Sequence, residues 1–240
     1  MLLRTPLPQR LTFMGLFWIG WLVLITIDPQ NPWRLLPVLL SDALGAAALN
    51  TFYQQAPKAL KTPFLGLSWG VLLVTVGDLM LLPGKQYLNL TGVLDPSSDY
   101  IFLLATISIM MGSFSLPYIM EQQGLYPNGR FALLIGIAAV ISSVTVYLFT
   151  TYVTKMPFLN ILIHAIIMLV FVLYLLQSFL IGGGRIGKQV QVVSIALTLV
   201  NVGRIIGIIG DWSPLTHTLY EIVWLTGMSV LLYFSPRKLA

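Results

Sequence analysis

The sequence contains no cysteine, and charged residues make up only 9% of its 240 residues. The missing cysteine excludes disulfides, thiolate catalysis and cysteine-based metal sites. The low charge excludes an ordinary soluble domain, in which about 25% of residues are charged. Hydrophobic residues make up 57% of the chain, and its mean hydropathy is +0.88. This composition predicts an integral membrane protein in contact with the lipid bilayer.

The apolar runs are long enough to cross a bilayer, which takes about 20 helical residues. We predict eight spans: Thr12–Ile27, Leu35–Gln55, Phe64–Pro83, Tyr100–Ile119, Phe131–Val153, Phe158–Gly182, Val190–Gly210 and Thr216–Ser235. Helix-breaking segments separate them, among them Asp95-Pro96-Ser97-Ser98 and Trp212-Ser213-Pro214. No cleavage site of small residues follows the first span, so we expect it to be retained rather than removed as a signal peptide. The predicted fold class is all-α and polytopic, with one membrane domain over residues 1–240.

Lysine and arginine are unevenly divided between the two sides of these spans. With the N-terminus inside, nine basic residues lie in inner segments and three, Arg34, Lys85 and Lys155, lie in outer loops. Cytoplasmic segments of membrane proteins carry the excess of basic residues. We therefore predict a multi-pass protein of the bacterial inner (plasma) membrane with both termini cytoplasmic. The net charge of +5 then sets orientation and does not indicate nucleic-acid binding.

The third and fourth spans resemble the seventh and eighth. The third span ends in Val76-Gly77-Asp78-Leu79 and the seventh in Ile209-Gly210-Asp211-Trp212. The helices that follow contain Asp99-Tyr100-Ile101-Phe102-Leu103 and Glu221-Ile222-Val223-Trp224-Leu225. One interpretation is a 4+4 internal repeat with parallel halves, 1–125 and 126–240. The other is chance similarity between apolar helices.

Five ionisable side chains lie within the apolar spans at similar depths: Asp42, Asp78, His164, Arg204 and Glu221. Counted at 1.5 Å per residue, each lies roughly 7–11 Å below the outer end of its helix. Ionisable residues inside a membrane are costly and face the bundle interior or a water-filled cavity, so they are the default site hypothesis. We predict that these five converge in one polar layer that opens outward.

Helical spacing extends the polar layer. Asn201, Arg204 and Asp211 share one face of the seventh span, and His217 and Glu221 lie one turn apart in the eighth. Each of these stripes is expected to point into the bundle, away from lipid. Asn201 and Asp211 therefore join the five ionisable residues as candidate ligand-binding residues.

Arg204 requires a partner, because a guanidinium stays protonated in proteins. We expect one carboxylate to accept from it, with Asp78 or Glu221 favoured over Asp42. The remaining carboxylates would be met by protonation, by His164, by water, or by a bound cation or amine. Three interpretations follow: a buried clamp without a ligand, a water-filled pocket that binds a small ligand or ion, and a catalytic site.

Several kinds of site have no signal in the sequence. There is no His-Glu-x-x-His zinc motif. His164 and His217 are the two histidines, and therefore the histidine candidates for ligation of haem or a pigment. No lysine lies within the last two spans, which excludes a retinal Schiff base of the usual rhodopsin kind. The sequence identifies no cofactor, metal or oligomeric state.

The Gly-Asp runs at Asp78 and Asp211, together with Glu221-Ile222-Val223-Trp224-Leu225-Thr226-Gly227, resemble the multi-helix membrane sensor modules that precede GGDEF or histidine kinase domains in bacteria. This resemblance implies eight helices and a ligand pocket that is read out on the cytoplasmic side. The sequence stops at Ala240, five residues after the last predicted span, and contains no output domain of its own. We therefore expect signalling through a membrane or cytoplasmic partner, or through a domain of a longer chain.

The segment Leu73-Val74-Thr75-Val76-Gly77-Asp78-Leu79-Met80-Leu81 is similar to the third helix of YhhN-type lysoplasmalogenases, which also have eight helices. That resemblance implies hydrolysis of a vinyl-ether lipid by two intramembrane aspartates, with Asp78 as the first. The second would lie in the middle of helix seven, where this chain has Arg204, and the nearest acid is Asp211. The predicted function is thus a sensory or ligand-binding module, with a hydrolase, a small-solute or ion transporter, or an accessory subunit of a larger complex as alternatives.

Overall fold

A computed structural model describes residues 7–27, 33, 35–81, 96–124, 129–152, 165–166, 168–170, 172–177, 184–209 and 214–236. These residues are almost entirely helical, and no strand occurs in the described ranges. The helices are α1 (Leu7–Ile27), α2 (Leu35–Gln55), α3 (Lys61–Leu81), α4 (Pro96–Gln122), α5 (Arg130–Tyr152), α6 (Met168–Gln177), α7 (Gly184–Ile209) and α8 (Pro214–Phe234). A short 3₁₀ helix, Lys58–Leu60, joins α2 to α3.

Six of the described helices, α1 to α4, α7 and α8, are long and apolar enough to cross a membrane. This confirms the all-helical, multi-pass class that the composition predicts. The apolar stretches of α5 and α6 are shorter where they are described, at Arg130–Val144 and Met168–Gln177. The count of eight spans, the orientation and the repeat stay predictions.

Several helices begin before the predicted spans do. α4 begins at Pro96 rather than Tyr100, and α8 begins at Pro214 rather than Thr216, so each proline opens the helix that follows the predicted break. Proline fits the first helical position because its fixed φ is already helical and that position needs no N–H donor. α7 likewise begins at Gly184 rather than Val190. Its polar first turns continue the helix beyond the apolar span, which hydropathy alone does not detect.

Two neighbouring helix pairs, α3–α4 and α7–α8, pack at very short range through glycine. A Cβ atom added at Gly112 of α4 would lie 2.8 Å from the carbonyl oxygen of Pro63. One added at Gly227 of α8 would lie 2.7 Å from the carbonyl oxygen of Ala196. Small residues allow this close approach, which is the usual source of helix association where lipid removes the hydrophobic driving force.

α2 joins the two pairs, because it packs against both α3 and α8. On one side the Ser68 hydroxyl of α3 donates to the carbonyl of Ala46 at 2.8 Å. On the other side Gly45 faces the side chain of Met228 in α8. The two pairs therefore stand on either side of α2.

α1 lies antiparallel to α8 and contacts it along its length. Near the start of α1, the buried Arg10 donates to Ser235 at 2.8 Å (carbonyl) and 2.6 Å (hydroxyl). Further along, the Trp18 indole donates to the Ser229 hydroxyl at 3.3 Å. The guanidinium thus meets the C-terminal carbonyls of α8, where a positive charge is favoured. This end of the bundle, at which α1 begins and α8 ends, is called the Arg10 end below.

Two further glycines bring a helix close to the helix that follows it. Gly70 and Gly203 each lie eight residues before the aspartate of a Gly-Asp run, Asp78 and Asp211. A Cβ added at Gly70 would lie 3.1 Å from the carbonyl oxygen of Ala105, and one at Gly203 would lie 3.1 Å from that of Tyr220. Both glycines therefore face the following helix, but Ala105 and Tyr220 are not equivalent positions in the predicted repeat, so the repeat stays a prediction.

Candidate functional site

The site is organised by one face of α8. His217, Tyr220, Glu221 and Trp224 follow one another at i, i+3, i+4 and i+7, so they form a single stripe. Glu221 is 0% and Trp224 2% exposed. The Tyr220 ring lies between its neighbours, with its centre 6.0 Å from that of His217 and 5.2 Å from that of Trp224. This stripe points into the bundle, toward α1, α2 and α7.

Glu221 is held between two helices by nitrogen groups. The indole N–H of Trp21, in α1, donates to Glu221 Oε2 at 2.7 Å. His217 Nδ1 lies 3.4 Å from Glu221 Oε1, as the spacing of the two residues on α8 predicts. The His217 side chain is 18% exposed, so the imidazole connects a fully buried carboxylate to the edge of the bundle.

Asp42 of α2 is held in a parallel way. It is 0% exposed, and its Oδ1 accepts a hydrogen bond from the indole N–H of Trp224. This bond joins α2 to α8 one turn away from the contact between Glu221 and Trp21. Each of the two carboxylates, Glu221 within the α8 stripe and Asp42 facing it from α2, therefore accepts a hydrogen bond from an indole.

The other predicted site residues are placed to different extents. Asp78 is half-buried on α3, one turn beyond Val74. Asn201 is 8% exposed, and its Nδ2 donates to the carbonyl of Leu197 at 2.7 Å. His164 and Asp211 lie outside the described residues, as does the side chain of Arg204, whose backbone belongs to α7. The contact between Arg204 and a carboxylate stays a prediction.

A cavity lies between the α3–α4 pair and the α7–α8 pair. About 40 Å³ of it is open to the centres of water molecules, which is room for about three waters at ~10–15 Å³ each. Its walls are mostly apolar, and three lining side chains, Thr106, Asn201 and Trp224, carry a polar group. The other lining residues are Val71, Val74, Phe102, Ile109, Val170, Leu197, Val200 and Met228. None of these described lining residues is ionisable.

Trp224 separates the cavity from the acidic residues. The side chain contributes to the cavity wall while its N–H group meets Asp42. The Thr106 hydroxyl on the opposite wall donates to the carbonyl of Phe102 at 2.7 Å, and it still has lone pairs with which to accept. Among the described members of the predicted polar layer, Asn201 lines the cavity, while Asp42, Asp78 and Glu221 do not.

Trp21 and Trp224 belong to the site although no motif in the sequence singles them out. Tryptophan is enriched at membrane interfaces, which fits the exposed Trp33, at 57%, but not these two, at 3% and 2%. One signal was present: Trp21 lies six residues from the end of α1, at a depth similar to that of the acids. An indole is a neutral donor, so it can satisfy a membrane carboxylate without a second charge.

No protein-family model matches the chain, and neither a curated protein nor a solved structure matches it. Within the part of the chain that the structure describes, no group of three or more histidine, aspartate or glutamate side chains could hold a metal ion. The resemblances to sensor modules and to lysoplasmalogenases stay predictions. Function is therefore inferred from the geometry of the cavity and its surroundings.

Proposed function

We propose that the protein is a sensory membrane module that binds a small, neutral, mainly apolar molecule in the cavity between the two helix pairs. The lining carries this proposal: aliphatic and aromatic walls, with the Asn201 amide and the Thr106 hydroxyl as polar points. Small-molecule sites generally combine apolar walls with a few placed polar groups that fix orientation.

The chemistry of the lining favours a neutral ligand over the cation or amine that the surplus of acids suggested. Asp42 and Glu221 already accept hydrogen bonds from indoles, and neither is among the described lining residues. A charge in an apolar cavity is costly unless it is paired. A single hydroxyl, carbonyl or amide on the ligand could instead bond to Asn201 or Thr106.

Binding would be coupled to the arrangement of the helices. A space of about 40 Å³ is smaller than most ligands, so occupancy by several heavy atoms would move the α3–α4 pair away from the α7–α8 pair. α2 contacts both pairs, and Trp224 ties it to α8. A ligand that prefers the separated arrangement would shift the population toward it, and the contact between α1 and α8 would carry the shift to the Arg10 end.

The test compares benzyl alcohol with benzylamine, which have nearly the same shape but differ in charge at neutral pH. In lipid nanodiscs, benzyl alcohol should raise the Tm, because a ligand of the folded state stabilises it. Val200→Phe, which fills the cavity, should abolish this rise. Val76→Phe is the matched control, since Val76 is 38% exposed on α3, and it should preserve the rise.

Two results would count against this proposal. Benzylamine raising the Tm as much as the alcohol would indicate a cation site in the acidic layer. An equal alcohol effect in both phenylalanine variants would indicate partition into lipid rather than the cavity.

The two alternative functions have their own tests. Aldehyde release from vinyl-ether lysolipid vesicles that depends on Asp78 would support the hydrolase instead. Ligand-dependent flux into proteoliposomes would support the transporter.

We propose further that both termini are cytoplasmic, in the inner membrane, and that a membrane or cytoplasmic partner reads the signal. The contact between Arg10 and Ser235 supports the part of this proposal that places both chain termini on the same side of the membrane. Cysteine-accessibility labelling is well suited to the chain, because it has no native cysteine. Single cysteines at Arg4 and Arg237 should both be labelled only from the cytoplasmic side.

A further inference from the structure

A polar stripe on α7 continues from the cavity toward the Arg10 end of the bundle. Asn201, at the cavity, is followed at intervals of three and four residues by Thr198 and Ser194, so the three lie near one another on the helix surface. Ser194 is 0% exposed, and its hydroxyl donates to Gln177 Oε1 of α6 at 3.2 Å. The polar stripe therefore meets α6 closer to the Arg10 end than the acidic residues are.

Gln177 has a hydrogen-bonding deficit. Its side chain is 0% exposed, and among the described residues its Nε2 finds no hydrogen-bond partner. Rotating the amide would turn Nε2 toward Ser194 and leave Oε1 without a partner, so neither orientation satisfies the group. Buried polar groups without a partner are rare in native proteins and usually indicate an ordered water or ion.

A second atom with the same deficit lies on α7, one helical turn from Ser194. Thr198 Oγ1 is buried and finds no hydrogen-bond partner in the described part of the chain. Thr198 is one helical turn from Ser194, about 6 Å between Cβ atoms. A water between α6 and α7 would thus have three polar neighbours, which is within the two to four that a buried water requires.

A neighbouring polar pair shows that the deficit is local. Ser113 Oγ of α4 lies 2.8 Å from Tyr174 Oη of α6 and 2.5 Å from the carbonyl oxygen of Ile109. Serine has one proton, so the hydroxyl can donate to the carbonyl and accept from the tyrosine. This pair is satisfied by protein atoms alone, in contrast to Gln177 and Thr198.

We propose that α6 and α7 bind ordered water at Gln177, Ser194 and Thr198. The water accepts from the Gln177 amide and bonds to the two hydroxyls, and the site extends the polar surface of Asn201 toward the Arg10 end. This water site does not depend on a ligand being bound in the cavity. Water here supplies the partners that the hydrocarbon region of a bilayer does not.

Hydroxyl-radical footprinting by X-ray radiolysis tests the site, because radicals formed from a bound water modify the side chains beside it. Tyr174 is 0% exposed and lies one turn from Gln177 on α6. In the wild-type protein in nanodiscs, Tyr174 should be labelled severalfold faster than Phe52, which is 1% exposed and stacks on Phe64. Gln177→Leu should lower the Tyr174 rate severalfold and leave Phe52 unchanged.

The control is Gln54→Leu, at an exposed position of α2, which should leave both rates as they are. Thr198→Val removes the second hydroxyl with little change of shape and should lower the Tyr174 rate partway. Equal rates for Tyr174 and Phe52 in the wild-type protein would overturn the proposal without any variant. An unchanged Tyr174 rate in a folded Gln177→Leu protein would overturn it as well.

Discussion

Replacing Trp224 with alanine should lower the free energy of unfolding by about 2–4 kcal/mol. Trp224 is 2% exposed, lines the cavity and donates to Asp42, so its removal enlarges an existing space and weakens the link between α2 and α8. In a bilayer the unfolded helices remain among apolar chains. The loss therefore comes from packing and hydrogen bonding, and the estimate is lower than for a tryptophan buried in a soluble protein.

Trp224→Phe separates these two contributions. The phenyl ring keeps most of the packing but removes the indole donor, which takes one hydrogen bond from the fully buried Asp42 carboxylate. A hydrogen bond to a charged group is worth about 1.5–3 kcal/mol, so phenylalanine should account for roughly half of the alanine effect. In a double-mutant cycle with Asp42→Asn, the combined loss should be smaller than the sum of the single losses.

Steric trapping in bicelles provides the unfolding free energy for these variants. Trp69→Ala is the matched control, because Trp69 is 54% exposed on α3 and should change stability by no more than about 0.5 kcal/mol. Additive losses from Trp224→Phe and Asp42→Asn would show that their hydrogen bond does not stabilise the bundle. Trp224 would then act through its volume alone.

The helices and their membrane character could be predicted because both depend on local composition. A run of apolar residues has to form a helix in lipid, where every backbone polar group must be satisfied within the segment. The helix starts were less predictable: the fourth span was predicted to begin at Tyr100, but α4 already begins at Pro96, since proline serves well as a first helical residue. Composition identifies a proline but not the side of it on which the helix lies.

The site could be predicted only in part. The inward direction of His217 and Glu221 followed from their spacing, because one helix fixes it. The cavity could not be predicted from spacing, because it requires Val71 and Val200, on helices far apart in sequence, to face each other across a gap. The donors to the acids were missed for a related reason: an indole is favoured both at the membrane interface and beside a buried carboxylate, and only the packing of α1 against α8 decides between them.

Replacing Gly112 and Gly227 together with alanine should lower the free energy of unfolding by about 2–6 kcal/mol, the sum of about 1–3 kcal/mol for each overpacked contact. The new methyl groups would lie 2.8 Å from the Pro63 carbonyl oxygen and 2.7 Å from the Ala196 carbonyl oxygen. Neither oxygen can rotate away, so the helices of each pair must separate.

The control is Gly136→Ala on α5, where an added Cβ meets nothing within 4 Å. Alanine should stabilise that helix by about 0.5–1 kcal/mol, because glycine loses more backbone freedom on folding. The single variants Gly112→Ala and Gly227→Ala should add nearly independently, since they act in different helix pairs. If all three single variants stabilised the protein alike, close packing through glycine would not hold the pairs together, and the cavity between them would lack rigid walls.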